Sequence, residues 1–120
     1  DDISTVAVAH NKDDNAETVI FNIMRGAGTR GAAGIPPVRD NVIRPLISVS
    51  KADIISALDG AGIPYVTDST NLTDAYTRNK FRHNVIKPLK EIAPEIISVA
   101  SAISLSSKVA LHIATNPPTL

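Results

Sequence analysis

The segment from Ile3 to Ala9, ISTVAVA, is the feature that most constrains the fold of this chain. Its β-branched residues and its lack of charge predict a buried strand. A helix is predicted next, from about Asp14 to Arg25, because apolar residues recur there at spacings of three and four. They are Ala16, Val19, Ile20, Ile23 and Met24. A strand that leads directly into an amphipathic helix indicates an α/β domain, in which a buried strand needs neighbours on both sides.

The middle of the chain predicts a second strand and a second helix. The run from Val42 to Val49 is predicted to be an edge or irregular strand, because Pro45 interrupts it and proline cannot donate to a central ladder. Ser50 is placed to cap the following helix, and Gly60 and Gly62 are placed to close it. The buried face of this helix is predicted to hold Ile54, Ile55 and Leu58.

Two further helices are predicted in the last third of the chain. The first runs from Thr77 to Leu89 and ends near Pro88, and the second runs from about Pro94 to His112. The buried face of the second helix is predicted to consist of Ile96, Val99, Ile103 and Ala110. Five serines between positions 98 and 107 weaken a free helix, so we expect it to pack on a partner surface.

The composition excludes several classes of protein. A chain of 120 residues with 43% hydrophobic side chains fits one small folded domain. Without cysteine there is no disulfide, no iron–sulfur ligation and no thiolate zinc site. No uninterrupted apolar run approaches the roughly 18 residues of a membrane span, and no signal-peptide pattern opens the chain, so we expect a cytoplasmic protein without a membrane partner. Zero net charge argues against a uniformly basic nucleic-acid binder, although local patches can exist.

The segment HNKDDNAET, residues 10–18, carries the most chemical information. His10 follows a predicted parallel strand, at the sheet edge where open α/β folds bind ligands. Asp14 and Glu17 lie three residues apart, so their carboxylates share one side of the helix and suit an ammonium group or a divalent cation. The same spacing fits a capping box with Asp14 as the cap, although a cap would need neither His10 nor Asp13. The four side chains together could also hold a metal ion.

The letters G-x-G-x-x-G occur at residues 26–31, but without the context of a dinucleotide site. That fingerprint follows a strand and opens a helix, whereas here a helix is predicted to precede it and Gly-Ile-Pro-Pro follows it. We therefore predict a loop over residues 26–37 that carries Arg25 and Arg30. A mobile lid and an ordinary surface loop both fit this pattern.

A cationic helix provides a third signal, in the segment TRNKFRHN at residues 77–84. Arg78 and Arg82 lie one helical turn apart, as do Asn79 and His83. Between Asp74 and Glu91 the chain has five basic residues and no acid. This pattern favours an anionic partner such as nucleotide or RNA phosphate, although a solvated helix face would have the same composition.

Seven motifs in this order resemble those of the tRNA(Ile)-lysidine synthases, a family of PP-loop ATP pyrophosphatases. They read AVAHN, DDNAET, RGAG, GIPPVR, VIRPLI, DSTN and RNKFRH, and they span about residues 5–95. The resemblance implies part of a Rossmann-like, adenine nucleotide alpha hydrolase-like parallel sheet with flanking helices, ending in a helical segment. Residues 1–93 would be the second half of the catalytic domain, and residues 94–120 a helix and linker toward a following domain.

The resemblance also implies a two-step ligase reaction with ATP, Mg²⁺, L-lysine and tRNA(Ile). ATP adenylates C2 of the wobble cytidine, and the amine of free lysine then displaces AMP to give lysidine. The implied catalytic residues are Asp14 and Glu17, which would hold the ammonium of lysine, and Arg82, which would pair with its carboxylate or with phosphate. The other implied site residues are Arg78, Asn79 and His83 for lysine or tRNA, and His10 and Asp13 near ATP.

The chain departs from the family pattern in two positions and lacks one segment. The family's second histidine is Asn11 here and its glutamine is Asn15, which changes contacts expected for ATP or metal. The phosphate-gripping S-G-G-x-D-S loop, which belongs upstream of the first strand, is absent from these residues. We therefore expect the 120 residues to be an incomplete catalytic domain that cannot adenylate tRNA alone.

Two other functions fit some of the same residues. A metal-dependent phosphohydrolase could use the His10, Asp13, Asp14 and Glu17 set, and would bind Mn²⁺ or Zn²⁺ without RNA. A non-catalytic remnant that binds tRNA or nucleotide would need no phosphate loop. The related PP-loop tRNA thiolases rely on cysteine, which this chain lacks. We also expect an exposed strand edge to let two copies pair as a homodimer.

Overall fold

A computed structural model of the chain describes residues 4–65 and 75–116. Three short strands form a sheet in the order β1-β3-β2, with β1 at Val6–Ala7, β2 at Val38–Arg39 and β3 at Val42–Ile43. Strand β3 pairs in parallel with β1 and antiparallel with β2. Helices flank this sheet, which confirms the predicted α/β class. Ile3 and the DSTN turn lie outside the described residues.

The second predicted strand is central in the described sheet, so the edge alternative was wrong, whereas the irregular alternative agrees with a strand of two residues that gives way to turns. Strand β3 ends at Ile43, so Pro45 lies outside the ladder and removes no hydrogen bond from it. Sequence reasoning also missed β2, which joins β3 through the two residues Asp40 and Asn41. Asp40 has a φ of 54°, a left-handed conformation that aspartate tolerates in turns.

Strand β1 is exposed, in contrast to the buried strand that the sequence predicted. Val6 keeps 42% of its surface accessible, and within the described residues β1 pairs only with β3. One edge of β1 is therefore unpaired within the described residues, and both of its residues are exposed. The β-branched composition was therefore a correct signal for the strand and an incorrect one for its burial.

Helix α1 (Lys12–Met24) begins two residues earlier than predicted, because its cap is Asn11. The side-chain Oδ1 of Asn11 accepts a hydrogen bond from the backbone of Asp14, and Oδ2 of Asp14 accepts one from the backbone of Asn11. This is a capping box with Asp14 in its third position, so the alternative with Asp14 as the cap was wrong. The box leaves Oδ1 of Asp14 and the whole of Glu17 available for other contacts.

The glycine-rich segment contains a short helix that was not predicted. Gly26 ends α1 with a φ of 80°, as expected, and α2 (Thr29–Ala33) then begins after its cap Gly28. Helix α1 precedes the G-x-G-x-x-G letters, so these residues do not have the strand–turn–helix context of a dinucleotide site. Helix α3 (Lys51–Ala61) has the predicted cap, since the backbone of Asp53 donates to the Ser50 hydroxyl.

Residues 75–92 form one helical arm with a wide turn in its middle. Helix α4 (Ala75–Phe81), a π-helical turn (Arg82–Ile86) and α5 (Lys87–Ile92) follow one another without a break. The predicted end near Pro88 was wrong. The backbone of Lys87 donates to the Arg82 carbonyl, five residues back, and this wider turn accommodates a proline that would disturb a regular α-helix.

The two buried residues of helix α6 (Ile96–Thr115) are both small, whereas several of its larger apolar residues are exposed. Ala100 and Ser104 are 2% and 1% exposed against α1 and α2, because small side chains let helices approach closely. Val99 and Ile103, which were predicted to be buried, are 50% and 39% exposed. The expectation that this serine-rich helix packs on another surface was correct, and its surface is the α1–α2 pair.

Helix α6 is also long and apolar enough to cross a membrane by length and composition alone. Its best window has a mean hydropathy of 1.6, with 11% of the window buried. The prediction that no segment could span a membrane rested on uninterrupted apolar runs, and serines interrupt the apolar residues of this helix. Helices of soluble cores have the same length and composition, and α6 contributes Ala100 to the small core around Ala16 and Val19.

Candidate active site

Arg82 connects two of the three acidic residues of helix α1 to the helical arm. Its Nε donates to Oε1 of Glu17 at 2.6 Å, and its Nη2 lies 3.4 Å from Oδ1 of Asp14. The structure thus brings together the three residues that the sequence analysis placed at the catalytic centre. One guanidinium cannot neutralise two carboxylates, so this cluster keeps a formal charge of about −1 available to a cationic group.

Local structure fixes each member of this cluster, which we call the Asp14–Glu17–Arg82 cluster. The capping box holds one oxygen of Asp14 and so orients the other. Glu17 lies one turn further along the same face of α1, with 16% of its side chain exposed. Arg82 is the first residue of the π-helical turn, a feature that often marks functional sites in helices.

Two cavities meet at this cluster. The first, of about 560 Å³, combines aromatic and cationic walls. The second, of about 900 Å³, lies between α3 and the helical arm and combines an apolar lining with charged residues. Four residues line both cavities, namely Asp14, Glu17, Arg78 and Arg82. The cluster is therefore accessible from two sides.

The first cavity suits a flat, anionic ligand. Phe21 and Phe81 pack edge to face with their ring centres 5.2 Å apart, and Arg25 lies 5.4 Å from the Phe21 ring centre. Arginines stack on flat rings and bind phosphates, so this lining fits a nucleotide better than an apolar molecule. The remaining lining residues include His10, Thr18, Ile35, Arg44 and Thr77.

Arg44 is a site residue that sequence reasoning missed. Its Nε donates to Nδ1 of His10 at 3.2 Å, and its Nη1 donates to the carbonyl of Pro36 at 2.7 Å. The motif VIRPLI contains this arginine, but no local pattern pairs it with a histidine 34 residues earlier. Only the parallel pairing of β1 and β3 puts the ends of the two strands side by side.

The structure separates two residues that the sequence analysis placed together near ATP. His10 lines the first cavity, whereas Asp13 lines the second. Asp13 Oδ1 accepts a hydrogen bond from the backbone of Lys51, and its Oδ2 lies 4.0 Å from the Lys90 ammonium. Asp13 thus ties α1 to α3 and to the helical arm.

The other three predicted residues differ in their placement on the helical arm. Arg78 lines both cavities and His83 lines the second one. Asn79 is exposed and is not among the lining residues of either cavity. The second cavity also holds Tyr65, whose pKa is raised above its usual 10.0 by desolvation, then by the charge and hydrogen bond of Asp59.

The candidate metal ligands diverge instead of converging. Asp13 faces Lys51, and the other two carboxylates face Arg82. Among the residues that the structure describes, no group of three or more His, Asp or Glu side chains could hold a metal ion. This arrangement gives no support to the metal-dependent phosphohydrolase.

Comparison with known sequences decides the family. Residues 1–89 match the family described as the PP-loop domain. The chain belongs to the PP-loop domain family. Its predicted resemblance is thereby confirmed, and its fold is the adenine nucleotide alpha hydrolase-like one.

Relatives of this PP-loop domain share its sequence over about 90 residues. It is 53% identical over 88 residues to a tRNA(Ile)-lysidine synthase of Parabacteroides distasonis, covering 73% of this chain and 20% of the relative. It is 46% identical over 91 residues to that of Bacteroides thetaiotaomicron, covering 76% and 21%. It is 49% identical over 87 residues to the tRNA(Ile)-lysidine synthase of Caldanaerobacter subterraneus, which covers 72% of this chain and 19% of the relative. The chain spans about a fifth of the length of these curated relatives.

The PP-loop match contains both departures from the family pattern, and the structure gives each a structural role. Asn11 caps α1, as described above. Asn15 is 5% exposed and faces away from the cavities, where its amide contacts Ile35 and Ser104. Neither side chain lies among the residues of the first cavity.

Proposed function

We propose that this PP-loop domain provides the amine-binding part of an ATP-dependent ligase that joins L-lysine to C2 of the wobble cytidine of tRNA(Ile). The observation that carries the proposal is the Asp14–Glu17–Arg82 cluster at the junction of two cavities. It lies inside the segment that is similar to proteins named tRNA(Ile)-lysidine synthase.

The charge of the cluster supports a role for Asp14 and Glu17 in holding an ammonium group. Both carboxylates are largely shielded from water, with 27% and 16% of their side chains exposed, which strengthens their attraction for a cation. An ammonium group that binds Glu17 competes with Arg82 for the same oxygen. The guanidinium then has a free edge for the lysine carboxylate or for a phosphate.

The proposed reaction has two displacement steps. The O2 atom of cytidine attacks the α-phosphorus of ATP, and pyrophosphate leaves. The amine of lysine then attacks C2, and AMP leaves with the former O2 atom. Because an ammonium has no lone pair, the bound lysine ammonium first gives one proton to the Glu17 or Asp14 carboxylate, the proposed acceptors within the cluster. The nitrogen loses a second proton to solvent after the C2–N bond has formed.

The first cavity is the proposed side for ATP, since His10, Arg25 and Arg44 supply donors for phosphate oxygens and the two phenylalanines supply flat apolar surface. Among the described residues no three His, Asp or Glu side chains converge on a metal position. Because Mg²⁺ is usually held by one or two carboxylates together with substrate phosphates, we propose that it arrives on the phosphates of ATP. Asp13, which was expected near ATP, would act through its contacts with α3 and the arm.

Adenylation would also need an S-G-G-x-D-S segment in addition to these residues, so we propose that the chain works as part of a longer enzyme.

The proposed tRNA contacts lie on the helical arm. Arg78 and His83 face the second cavity, and Asn79 lies on the outer surface, where RNA could reach it. Residues 1–93 would form the catalytic half-domain and residues 94–120 the helix and linker beyond it. We further propose a cytoplasmic protein. The isolated 120 residues would pair as a homodimer through the edge of β1 that is unpaired within the described residues, which sedimentation would test.

Lysidine formation by the intact gene product tests this function. The protein is incubated with ATP, Mg²⁺, L-lysine and unmodified tRNA(Ile), and the nucleosides are weighed after digestion. Wild type should form lysidine, whereas Asp14→Ala and Arg82→Ala should not. Arg39→Ala is the matched control, because Arg39 is exposed on β2 and lines neither cavity.

Two other results would redirect the assignment. Unmodified cytidine from a soluble protein that still binds tRNA would identify a non-catalytic binding module. Hydrolysis of phosphate esters that depends on Mn²⁺ or Zn²⁺ and not on tRNA would identify a phosphohydrolase. Lysidine formation by both the Asp14→Ala and Arg82→Ala variants would remove these residues from the catalytic centre.

A further inference from the structure

We propose that Arg44 is a positioning residue that holds His10 in a single tautomer, and that helix α6 supports this arrangement through a chain of hydrogen bonds. The inference rests on the proposed function only in taking His10 to face the nucleotide. It concerns a contact that lies at the rim of the first cavity and a helix that lies beyond the PP-loop match at residues 1–89.

The contact between Arg44 and His10 fixes the position of a proton. Arginine remains protonated and its nitrogens only donate, so Nδ1 of His10 must accept with its lone pair. A neutral imidazole that accepts at Nδ1 carries its proton on Nε2. His10 is thereby set as a hydrogen-bond donor through Nε2, which suits a phosphate oxygen and not an ammonium group.

Arg44 is itself held on a second side. Its Nη1 donates to the Pro36 carbonyl at 2.7 Å, and its backbone N–H donates to the Pro37 carbonyl at 2.8 Å. A planar guanidinium bonded through two of its nitrogens has a defined orientation. The orientation of His10 therefore depends on the position of the loop at residues 34–37.

Asn15 holds this loop. Its Oδ1 accepts a hydrogen bond from the backbone of Ile35 at 2.8 Å, and the side chain is 5% exposed. Gly34 has a φ of 74°, and a Cβ atom there would overlap Asn15 and Val19, so the loop backbone lies directly against α1. In such a buried setting, the loss of one partner leaves the other unsatisfied, which destabilises the position of the loop.

Ser104 of α6 completes the chain of contacts. Its hydroxyl accepts from Nδ2 of Asn15 at 3.0 Å and donates to the Ala33 carbonyl at 2.5 Å. Ser104 is 1% exposed and lies 89 residues from Asn15 in sequence. The contacts thus run from α6 through Asn15 to the loop, and from the loop through Arg44 to His10.

The tautomer of His10 can be read directly by ¹⁵N NMR of the intact gene product labelled at histidine. The signals of His10 are assigned by their loss in His10→Gln, at about pH 8.5, where an ordinary imidazole is neutral. In wild type we expect one tautomer, with Nε2 protonated and Nδ1 unprotonated. Arg44→Met should give averaged shifts from both tautomers.

The remote variant Ser104→Ala tests the part played by α6. We expect a partial shift of the His10 signals in the same direction as in Arg44→Met. Ser106→Ala, an exposed serine on the same helix, should leave them at the wild-type positions. A loss of stability without any change at His10 would mean that Ser104 only packs α6, and would overturn its part in the proposal.

Wild type alone can overturn the main claim, even if a variant fails to fold. A proton on Nδ1 of His10, or a single Nε2–H tautomer that persists in Arg44→Met, would contradict the positioning role of Arg44. The measurement uses no substrate, so its result is independent of lysidine formation. A wild type that makes no lysidine would end the proposed function while leaving the tautomer assignment intact.

Discussion

At the scale of single residues, the ion pairs of Arg82 matter more for the site than for stability. Its side chain is 40% exposed, and exposed pairs of this kind contribute about 0.2–1 kcal/mol. The guanidinium contacts Glu17 through Nε and Asp14 through Nη2 at the same time. The geometry of the fork, and not only the positive charge, is therefore the feature to test.

Arg82→Lys should lower kcat/KM for L-lysine about 10- to 100-fold, since an ammonium is a single point charge that cannot span the two carboxylates. Thermal stability should change little, because the Arg82 side chain is 40% exposed and lysine keeps a positive charge beside the two carboxylates. Steady-state lysidine formation at varied lysine concentration measures the effect, with Arg39→Lys as control. Wild-type kinetics in Arg82→Lys would show that the charge alone is sufficient.

Gly34→Ala should destabilise the protein by about 2–4 kcal/mol. The new Cβ atom would meet Asn15 and Val19, and the backbone has a positive φ that alanine rarely adopts. Gly28→Ala is the matched control, because Gly28 has a φ of −82° and open space around its Cα. Urea denaturation of both variants checks the prediction, which equal midpoints would contradict.

At the scale of elements, the sequence located helices better than it located their partners. Cap residues act on neighbouring backbone, so Ser50, Gly26 and Gly62 could be assigned from local chemistry. Strand pairing depends on residues far apart in sequence, and for this reason β2 was missed and β3 was placed at an edge. The prediction of the buried face of α6 was wrong for a related reason. Where helices pack closely, small residues such as Ser104 are buried and larger apolar residues such as Val99 are exposed.

Lys108 provides a pH-dependent test of that packing. Partial burial against the neighbouring helices lowers its pKa below the usual 10.5. The charged form is thus disfavoured in the folded state, so stability should rise with pH between the lowered folded pKa and 10.5. Lys108→Met removes this penalty and should raise the melting temperature by about 1–3 °C at neutral pH.

The gain from Lys108→Met should shrink as the pH approaches 10.5, where lysine is losing its proton in both states. Thermal melts across this range measure it. Lys87→Met, an exposed lysine on α5, serves as the control and should show no such pH-dependent gain. A constant difference between Lys108→Met and wild type at every pH would assign the effect to packing instead of charge.

At the scale of the whole molecule, the motif order identified the family and named the three residues that meet in the cluster, but not the layout of the candidate site. The spacing of Asp14 and Glu17 within one helix is local, and Arg82 came from the resemblance. Sequence reasoning could not find that the cluster lies between two cavities, or that His10 and Asp13 face different ones. Those relations follow from how α1 sits between the first cavity and α3.

The distribution of charge over the whole molecule leads to the last prediction. The chain has no net charge, yet its helical arm concentrates basic residues beside the second cavity. Lys87 is exposed there, whereas Lys90 lies 4.0 Å from Asp13. If tRNA phosphates bind along the arm, each lysine that contacts one contributes a released counterion.

Lys87→Gln should therefore weaken tRNA(Ile) binding at low salt and reduce the slope of log Kd against log salt concentration by about 0.7–0.9. Filter binding or fluorescence anisotropy of the intact gene product over a range of KCl concentrations gives both quantities. Arg39→Gln makes the same change of charge outside both cavities and should keep the wild-type slope. Equal slopes for Lys87→Gln and wild type would mean that RNA approaches the cluster from another direction, most simply through the first cavity.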